Sequence, residues 1–510
     1  MIAAINNWSF RQLEGSLLPT KGGTIKKIVC YTGQSFMFLA LLPIVATTAA
    51  LNCLVSRFSR RAPEHPLVEF AKHPTWGPPT QAAPPIDIGF ATAGFQEDGP
   101  QGHPHSNWGD FYQNNPAGRA HGPLPHVPDF WNHPEKIVAE LKSVGVKHFR
   151  FSIDRDRLQP VANGPIDGAV LERYRQIIRL FKANGIEPMI TLVHFCDPLY
   201  FSWERTEDVP GLVRYASVVC DMLAQEGVQK VVTINEPAVV AFQGWVMGGF
   251  PPHRQLDVEG AGRVLENMML AHREIYREVK ARHPQLQIGI SHDPIRFRHY
   301  HKSHPLWMPI ERMTAHYLTE ITHSAVMRYF ETGKFELRVP FRTNYCFETE
   351  RPSVDFFALQ YYSDPLLQIG LCGGDSVSRV PGERIATYRF RMYPQGLASA
   401  IYEASKLGVP IELTEIGMDT GVNVDGTDAQ RIEYFGKIFQ VIQKALDQGI
   451  NVRSCYFWTF RRNIEWHEGF KVNFGFHDFD PATGVTTPLP VYNWLAGQVA
   501  ARNQPAFAVA

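Results

Sequence analysis

Net charge is the first thing this chain lacks. Its 510 residues include 50 Lys+Arg and 50 Asp+Glu, so no global field draws it toward nucleic acid or an acidic partner. No nucleic-acid partner is expected. Paired cysteines are also missing: Cys30, Cys53, Cys196, Cys220, Cys346, Cys372 and Cys455 contain no C-x-x-C and no regular spacing. Neither a zinc site nor a disulfide framework is expected, and nothing implies a metal or cofactor. A scattered, odd set fits reduced thiols packing as small apolar groups. Long apolar runs are scarce, with one exception. FMFLALLPIVATTAALNCLV at 36–55 is about long enough to cross a bilayer core as a helix, and no charge occurs between Lys27 and Arg57. The long stretch before it argues for an uncleaved anchor over a signal peptide. Lys21, Lys26 and Lys27 on one flank and Arg57, Arg60 and Arg61 on the other leave its orientation open.

The first 61 residues thus read as an N-terminal segment with an anchor, implying membrane association, and the proline-rich 62–85 as a semi-extended linker. Residues 86–510 read as one catalytic domain. Strand-like segments there fall at 86–93, 147–152, 187–194, 230–236, 287–291, 355–362, 410–415 and 454–460. Amphipathic stretches such as 133–145, 171–185, 262–284 and 430–449 separate them. A doubly wound dinucleotide fold would place a glycine-rich turn after its first strand, and no G-x-G-x-x-G occurs there. Eight strand-helix alternations predict an α/β fold of the (β/α)8 TIM-barrel type with long βα loops.

Such barrels carry their chemistry at the C-terminal ends of the strands. KVVTINEP at 230–237 ends an apolar strand in Asn235 and Glu236. Comparable groups recur at the other strands: Gln96 after the first, Arg150 on the second, His194 closing the third, Tyr362 on the sixth, Glu415 on the seventh, and Trp458, Glu465 and Trp466 on and after the eighth. Any one of them alone has a bland reading as a hydrogen-bonded or paired structural residue. Together on one face they suit glycosidic cleavage, where one carboxyl protonates the leaving oxygen and the other attacks. Glu236 would then be the proton donor. Glu415 would be the nucleophile, kept ionised by Arg150. Gln96, His194, Asn235 and Glu465 offer polar contacts for sugar hydroxyls, and Trp458 and Trp466 offer apolar faces.

Seven segments resemble glycoside hydrolase family 1, the β-glucosidase and β-galactosidase family of retaining (β/α)8 enzymes, over about residues 86–498. They are GFATAGFQEDG (89–99), FRFSIDRDRLQP (149–160), TLVHFCDP (191–198), TINEP (233–237), DFFALQYYS (355–363), PIELTEIG (410–417) and YFWTFRRNIEWHEGFKVNFG (456–475). The resemblance implies Glu236 as acid/base and Glu415 as nucleophile, with Arg150 and Tyr362 contacting that nucleophile. It also implies a subsite for the non-reducing sugar formed by Gln96, His194, Asn235, Trp458, Glu465 and Trp466. The chain departs from the family's pattern at Arg155, Phe195, Gln360, Ile416 and Arg462.

Three functions remain open at this stage. The first is a membrane-tethered retaining β-glycosidase hydrolysing a carbohydrate or glycolipid substrate. The second is a glycolipid transglycosylase of the same family, for which anchoring would raise the effective concentration of a lipid-linked sugar. The third is a non-catalytic sugar-binding protein. The Gly/Pro/His-rich stretch 99–128 reads either as a lid or as a long surface connection.

Overall fold

A computed structural model describes residues 64–79, 82–299, 308–339, 343–367, 392–420 and 428–503. The predicted anchor at 36–55 lies outside these residues. Among the described residues, no helix is long and apolar enough to cross a membrane.

All eight predicted strands form, and they close into one barrel: β1 (Asp87–Ala91), β2 (His148–Ser152), β3 (Glu187–Val193), β4 (Lys230–Ile234), β5 (Gln287–His292), β6 (Phe356–Tyr361), β7 (Ile411–Gly417) and β8 (Val452–Trp458). Neighbours round the barrel run β1-β8-β7-β6-β5-β4-β3-β2, and the pairings are parallel. Parallel strands covered on both faces favour continuous apolar runs. Every residue of β6 and β7 is accordingly buried.

A helix follows each strand and packs outside, among them Pro134–Ser143, Gly168–Ala183, Val258–Arg282 and Asp428–Asp447. Local chemistry sets their ends. The Asp167 carboxylate accepts from the backbone N–H groups of Ala169 and Val170 to start one helix, satisfying donors that would otherwise lack partners. Gly185, at φ 72°, turns the chain from that helix into β3, a left-handed conformation that costs glycine little.

Residues 66–72, within the stretch expected to be a semi-extended linker, form a helix that docks on the barrel wall. Pro66 occupies its first turn, where a missing N–H is tolerated, and His65 caps it by accepting from Leu67 N. Leu67, Phe70 and Ala71 share one helical face and are buried. His65 stacks on Tyr402 at 4.4 Å, Lys444 lies over Phe70, and Lys437 lies over Trp76. Proline content signalled an extended chain here, whereas the i, i+3, i+4 spacing of the apolar residues prevails.

The stretch 99–128 is neither a free lid nor a plain surface connection. It includes the end of helix Gly94–Gly102 and the short helices Asn107–Asn114 and Pro116–Arg119. It is tied to the segment after β8: Tyr112 donates to the Trp466 carbonyl, and His121 Nε2 lies 3.0 Å from the His467 carbonyl. It therefore braces the residues that follow β8.

Candidate active site

Each expected site residue reaches the C-terminal mouth of the barrel by a different local device. On β4, apolar pairing stops at Ile234, and Glu236 adopts a left-handed backbone, φ 42° and ψ 64°, just ahead of the helix Pro237–Ala241. A non-glycine residue held there is strained, and such strain concentrates at functional positions. The Glu236 N–H donates to Ser291 Oγ on β5 at 3.0 Å. On β7, Glu412 faces the barrel floor, paired with Lys230 at 2.6 Å and accepting from Ser454. Glu415, three residues on, also faces the interior. Strict alternation forbids both, and the register shifts between Leu413 and Ile416 mark the β-bulge that permits it.

Arg150, fully buried, links the two carboxyl-bearing strands. Its Nη1 donates to Glu415 Oε1 at 2.6 Å, its Nη2 to Asn235 Oδ1 at 2.6 Å, and its Nε to Thr191 Oγ1 at 2.9 Å. Tyr362 donates its hydroxyl to Glu415 Oε2 at 2.6 Å. Gln360 joins the same group: its Nε2 donates to Glu415 Oε1 at 2.7 Å and to Asn235 Oδ1 at 2.8 Å. The reverse amide orientation would set oxygen against two acceptors, so the geometry fixes its direction. Ser291 Oγ also donates to Asn235 Oδ1, at 2.8 Å. With three donors on its oxygen, Asn235 has only Nδ2 left to offer, and that atom is buried without a partner.

The Glu415 carboxylate therefore accepts from three side chains, whereas no described residue donates to the Glu236 carboxyl. Burial pushes Glu415 above the ordinary carboxylate range, although Arg150 and the Tyr362 hydroxyl oppose it. Arg150 acts on Glu415 in the expected direction, while desolvation of the enclosed carboxylate works against it. Glu236 is driven much higher, by burial first and then by the charges of Glu415 and Asp293. Both carboxyls are thus shifted upward by burial, and among the described residues only Glu415 has side-chain donors that favour its charged form.

The remaining expected residues converge on the same mouth. Gln96 Nε2 donates to Glu465 Oε2 at 3.0 Å and approaches Asn463 Oδ1 at 3.3 Å, while Gln96 Oε1 has no partner. Burial pushes Glu465 up to about 8 against the Gln96 hydrogen bond. His194 Nε2 is 3.9 Å from Glu415 Oε1, and burial together with Arg150 holds the ring neutral, well below the usual histidine range. Its ring centroid lies 5.7 Å from Trp458 and 5.8 Å from Trp466. Phe195 packs on Trp466 at 4.9 Å.

The other departures from the family pattern lie behind this layer. Arg155 is buried among Tyr200, Phe201 and Tyr215, Ile416 is fully buried, and Arg462 pairs with Asp478 at 3.4 Å. Among the described residues, one cluster has its ligand atoms close enough for a metal: His103, Asp156 and Cys196, within 4.8 Å of one another. There Arg157 Nη2 faces His103 Nε2 at 3.2 Å. Arginine can only donate, so the His103 proton sits on Nδ1, toward Asp156 at 3.0 Å.

Gln360 and Ser291 were not among the site residues expected from sequence. Their signal is parity: each is on the interior-facing set of its strand, near the C-terminal end.

Residues 87–487 match the family model described as Glycosyl hydrolase family 1. Beta-glucosidase A of Thermotoga maritima is 26% identical over 427 residues, covering 78% of this chain and 92% of the relative. Beta-glucosidase 13 of Arabidopsis thaliana is 27% identical, covering 76% and 86%. A 6-phospho-beta-galactosidase of Clostridium acetobutylicum is 26% identical, covering 76% and 90%. Among solved structures, a beta-glycosidase from Pyrococcus horikoshii superposes with TM-score 0.68 at 25% identity, covering 83% of this chain and 95% of that one.

Proposed function

Because the chain belongs to glycosyl hydrolase family 1 and is an O-glycoside hydrolase of the β-glucosidase type, we propose that it releases terminal β-linked glucose or galactose with Glu415 as nucleophile and Glu236 as acid/base. One observation carries the assignment: three donors surround the Glu415 carboxylate and, among the described residues, none meets the Glu236 carboxyl. A carboxylate stabilised in its charged form suits attack, while a carboxyl kept protonated suits donation to a leaving oxygen.

In this reading Glu415 attacks the anomeric carbon as Glu236 delivers its proton to the departing oxygen, giving a covalent glycosyl-enzyme. Glu236, now ionised, takes a proton from water, which attacks the same carbon and frees Glu415. Asn235 Nδ2 donates to the 2-hydroxyl, an interaction that strengthens in the transition state. Gln96, the neutral His194 and Glu465 hold the other hydroxyls, and Trp458 and Trp466 cover the sugar's C–H face.

Trapping with an activated 2-deoxy-2-fluoro-β-glucoside, followed by peptide mapping, tests the assignment. A single adduct is expected on Glu415, and an adduct on any other residue overturns it. Product analysis with β-glucosides, β-galactosides and glycolipids fixes the sugar, and free sugar rather than transferred sugar is the expected product. The apolar run at 36–55 extends the proposal to a membrane-tethered enzyme. The full chain should then stay with membranes through an alkaline carbonate wash and leave only with detergent. Release by the wash refutes the tether.

A further inference from the structure

One ionisable group at the mouth has no part in the mechanism above. Asp293 directly follows β5; the residue is 7% exposed, and its Oδ1 is buried and unpartnered. Alternation along β5 directs it inward. A Cβ on Gly289 would lie 2.5 Å from the interior Phe356 ring, and Ser291 bonds Asn235 and the Glu236 backbone, so positions 289, 291 and 293 share the barrel-interior side. His292 points the other way, to His323 at 3.0 Å among the outer helices.

The order of strands shows which side of the substrate Asp293 faces. Of the groups assigned to the sugar, Gln96, His194, Trp458, Glu465 and Trp466 lie on or after β1, β3 and β8, while Asn235, which takes the 2-hydroxyl next to the anomeric carbon, follows β4 beside Glu236. In the order β1-β8-β7-β6-β5-β4-β3-β2, β5 lies four strands from β1 in either direction. Asp293 is therefore opposite Gln96 and on the side of Glu236, the group assigned to protonate the leaving oxygen. That is the leaving-group side of the scissile bond.

The nearby cation is already engaged. Arg296 donates to Asp364 Oδ1 at 3.2 Å and to the Gly396 carbonyl at 2.5 Å, and approaches Glu403 at 3.5 Å. The groups facing Asp293 are otherwise acidic: burial, Glu415 and Asp364 push its carboxyl well above its ordinary range despite Arg296. A buried carboxyl oxygen without a donor is unfavourable unless something supplies one.

We propose that Asp293 is a specificity-determining residue that binds a protonated amine on the leaving group of the glycoside. A cation seated there offsets the cost of burying the carboxylate, and its N–H groups satisfy Oδ1. The inference rests on the glycosidase reading and adds the chemical class of the leaving group to it.

The test uses two phenyl β-glucosides of similar leaving ability, carrying 4-aminomethyl or 4-hydroxymethyl groups, with p-nitrophenyl β-glucoside as each variant's own reference. For the wild type, kcat/KM should favour the ammonium compound by about tenfold, the scale of one charge-assisted hydrogen bond. In Asp293→Asn the ratio should fall to about one, mainly through KM. Asp293→Ser serves as a second variant if the first melts early. A wild-type ratio near one, or a ratio unchanged in both variants while p-nitrophenyl β-glucoside is cleaved, overturns this inference alone. Wild-type failure to cleave p-nitrophenyl β-glucoside or β-galactoside removes the glycosidase reading and this inference with it.

Discussion

Replacing Gln360 with leucine removes the amide that donates to both Glu415 Oε1 and Asn235 Oδ1. Neither acceptor is orphaned by the change. Arg150 still covers both, Tyr362 holds Glu415 Oε2, and Ser291 holds Asn235. The loss is therefore the net worth of the two bonds, ~1.5–3 kcal/mol for the charged one and ~0.5–1.5 for the neutral one. Against that, the substitution removes Gln360 Oε1, a buried oxygen without a partner, whose burial costs ~1–3 kcal/mol as it stands. The fold should lose only about 1 kcal/mol in all, a small shift in Tm for a domain of this size. Catalysis should respond differently, because the bond to Glu415 favours its charged form. Without that bond Glu415 holds its proton more tightly, so the ionised fraction is lost at a higher pH as acid is added. The charged bond alone is worth about tenfold to a hundredfold in that equilibrium. The acidic limb of the kcat/KM profile should move upward, with kcat/KM on that limb falling about tenfold or more. At higher pH, where Glu415 is ionised in both proteins, the deficit should shrink. The assay is a pH profile of kcat/KM on p-nitrophenyl β-glucoside, alongside a thermal melt. An acidic limb coincident with that of the wild type, at equal Tm, would refute the assignment of Gln360 as a donor that stabilises the charged nucleophile.

Three further outcomes are expected. Glu415→Gly should abolish hydrolysis of an activated aryl β-glucoside, and azide should restore cleavage by giving an α-glucosyl azide; a β-linked azide product would contradict the assigned role. Glu236→Ala should lose about 10²–10⁴-fold on a methyl or alkyl β-glucoside, the usual range for general acid catalysis, and far less on 2,4-dinitrophenyl β-glucoside, whose leaving group needs no proton. Equal losses on both substrates would count against Glu236 as the acid. Phe70→Ala should cost less than the ~3–5 kcal/mol typical of a core phenylalanine, because the seven-residue helix 66–72 can detach without opening the barrel. Limited proteolysis should cut near that helix while kcat stays unchanged, and resistance equal to the wild type would show that the docking does not depend on Phe70.

Strand existence was legible in the sequence because buried parallel strands leave continuous apolar runs, and KVVTI and FFALQY need no partner to be recognised. The polar strand ends were legible for the converse reason, since an amide and a carboxylate closing an apolar run conflict with core packing. Helix 66–72 was misread because proline count says little once a proline falls in the first helical turn. Stretch 99–128 was ambiguous because its ties, Tyr112 to Trp466 and His121 to His467, span more than 340 residues of sequence. The burial that opposes Arg150 at Glu415 was not legible, because sequence identifies the neighbouring charge but not the extent of enclosure.

What the sequence hides most completely is the parity of β7. Read as a uniform strand, PIELTE puts Glu412 and Glu415 on opposite faces, so one of them should point into the helical layer. Both carboxyls instead face the interior, one tied to Lys230 and Ser454 at the floor and the other to Arg150, Gln360 and Tyr362 at the mouth. The bulge between Leu413 and Ile416 makes that possible, and it also sends Ile416, where the family pattern has a polar residue, into full burial. A polar side chain at 416 is therefore not needed to aim Glu415 in this chain. Gln360, one strand away, provides a donor to the same carboxylate from β6. The departures at Gln360 and Ile416 therefore describe one arrangement in which the bulge aims the carboxylate and the β6 amide helps to hold it.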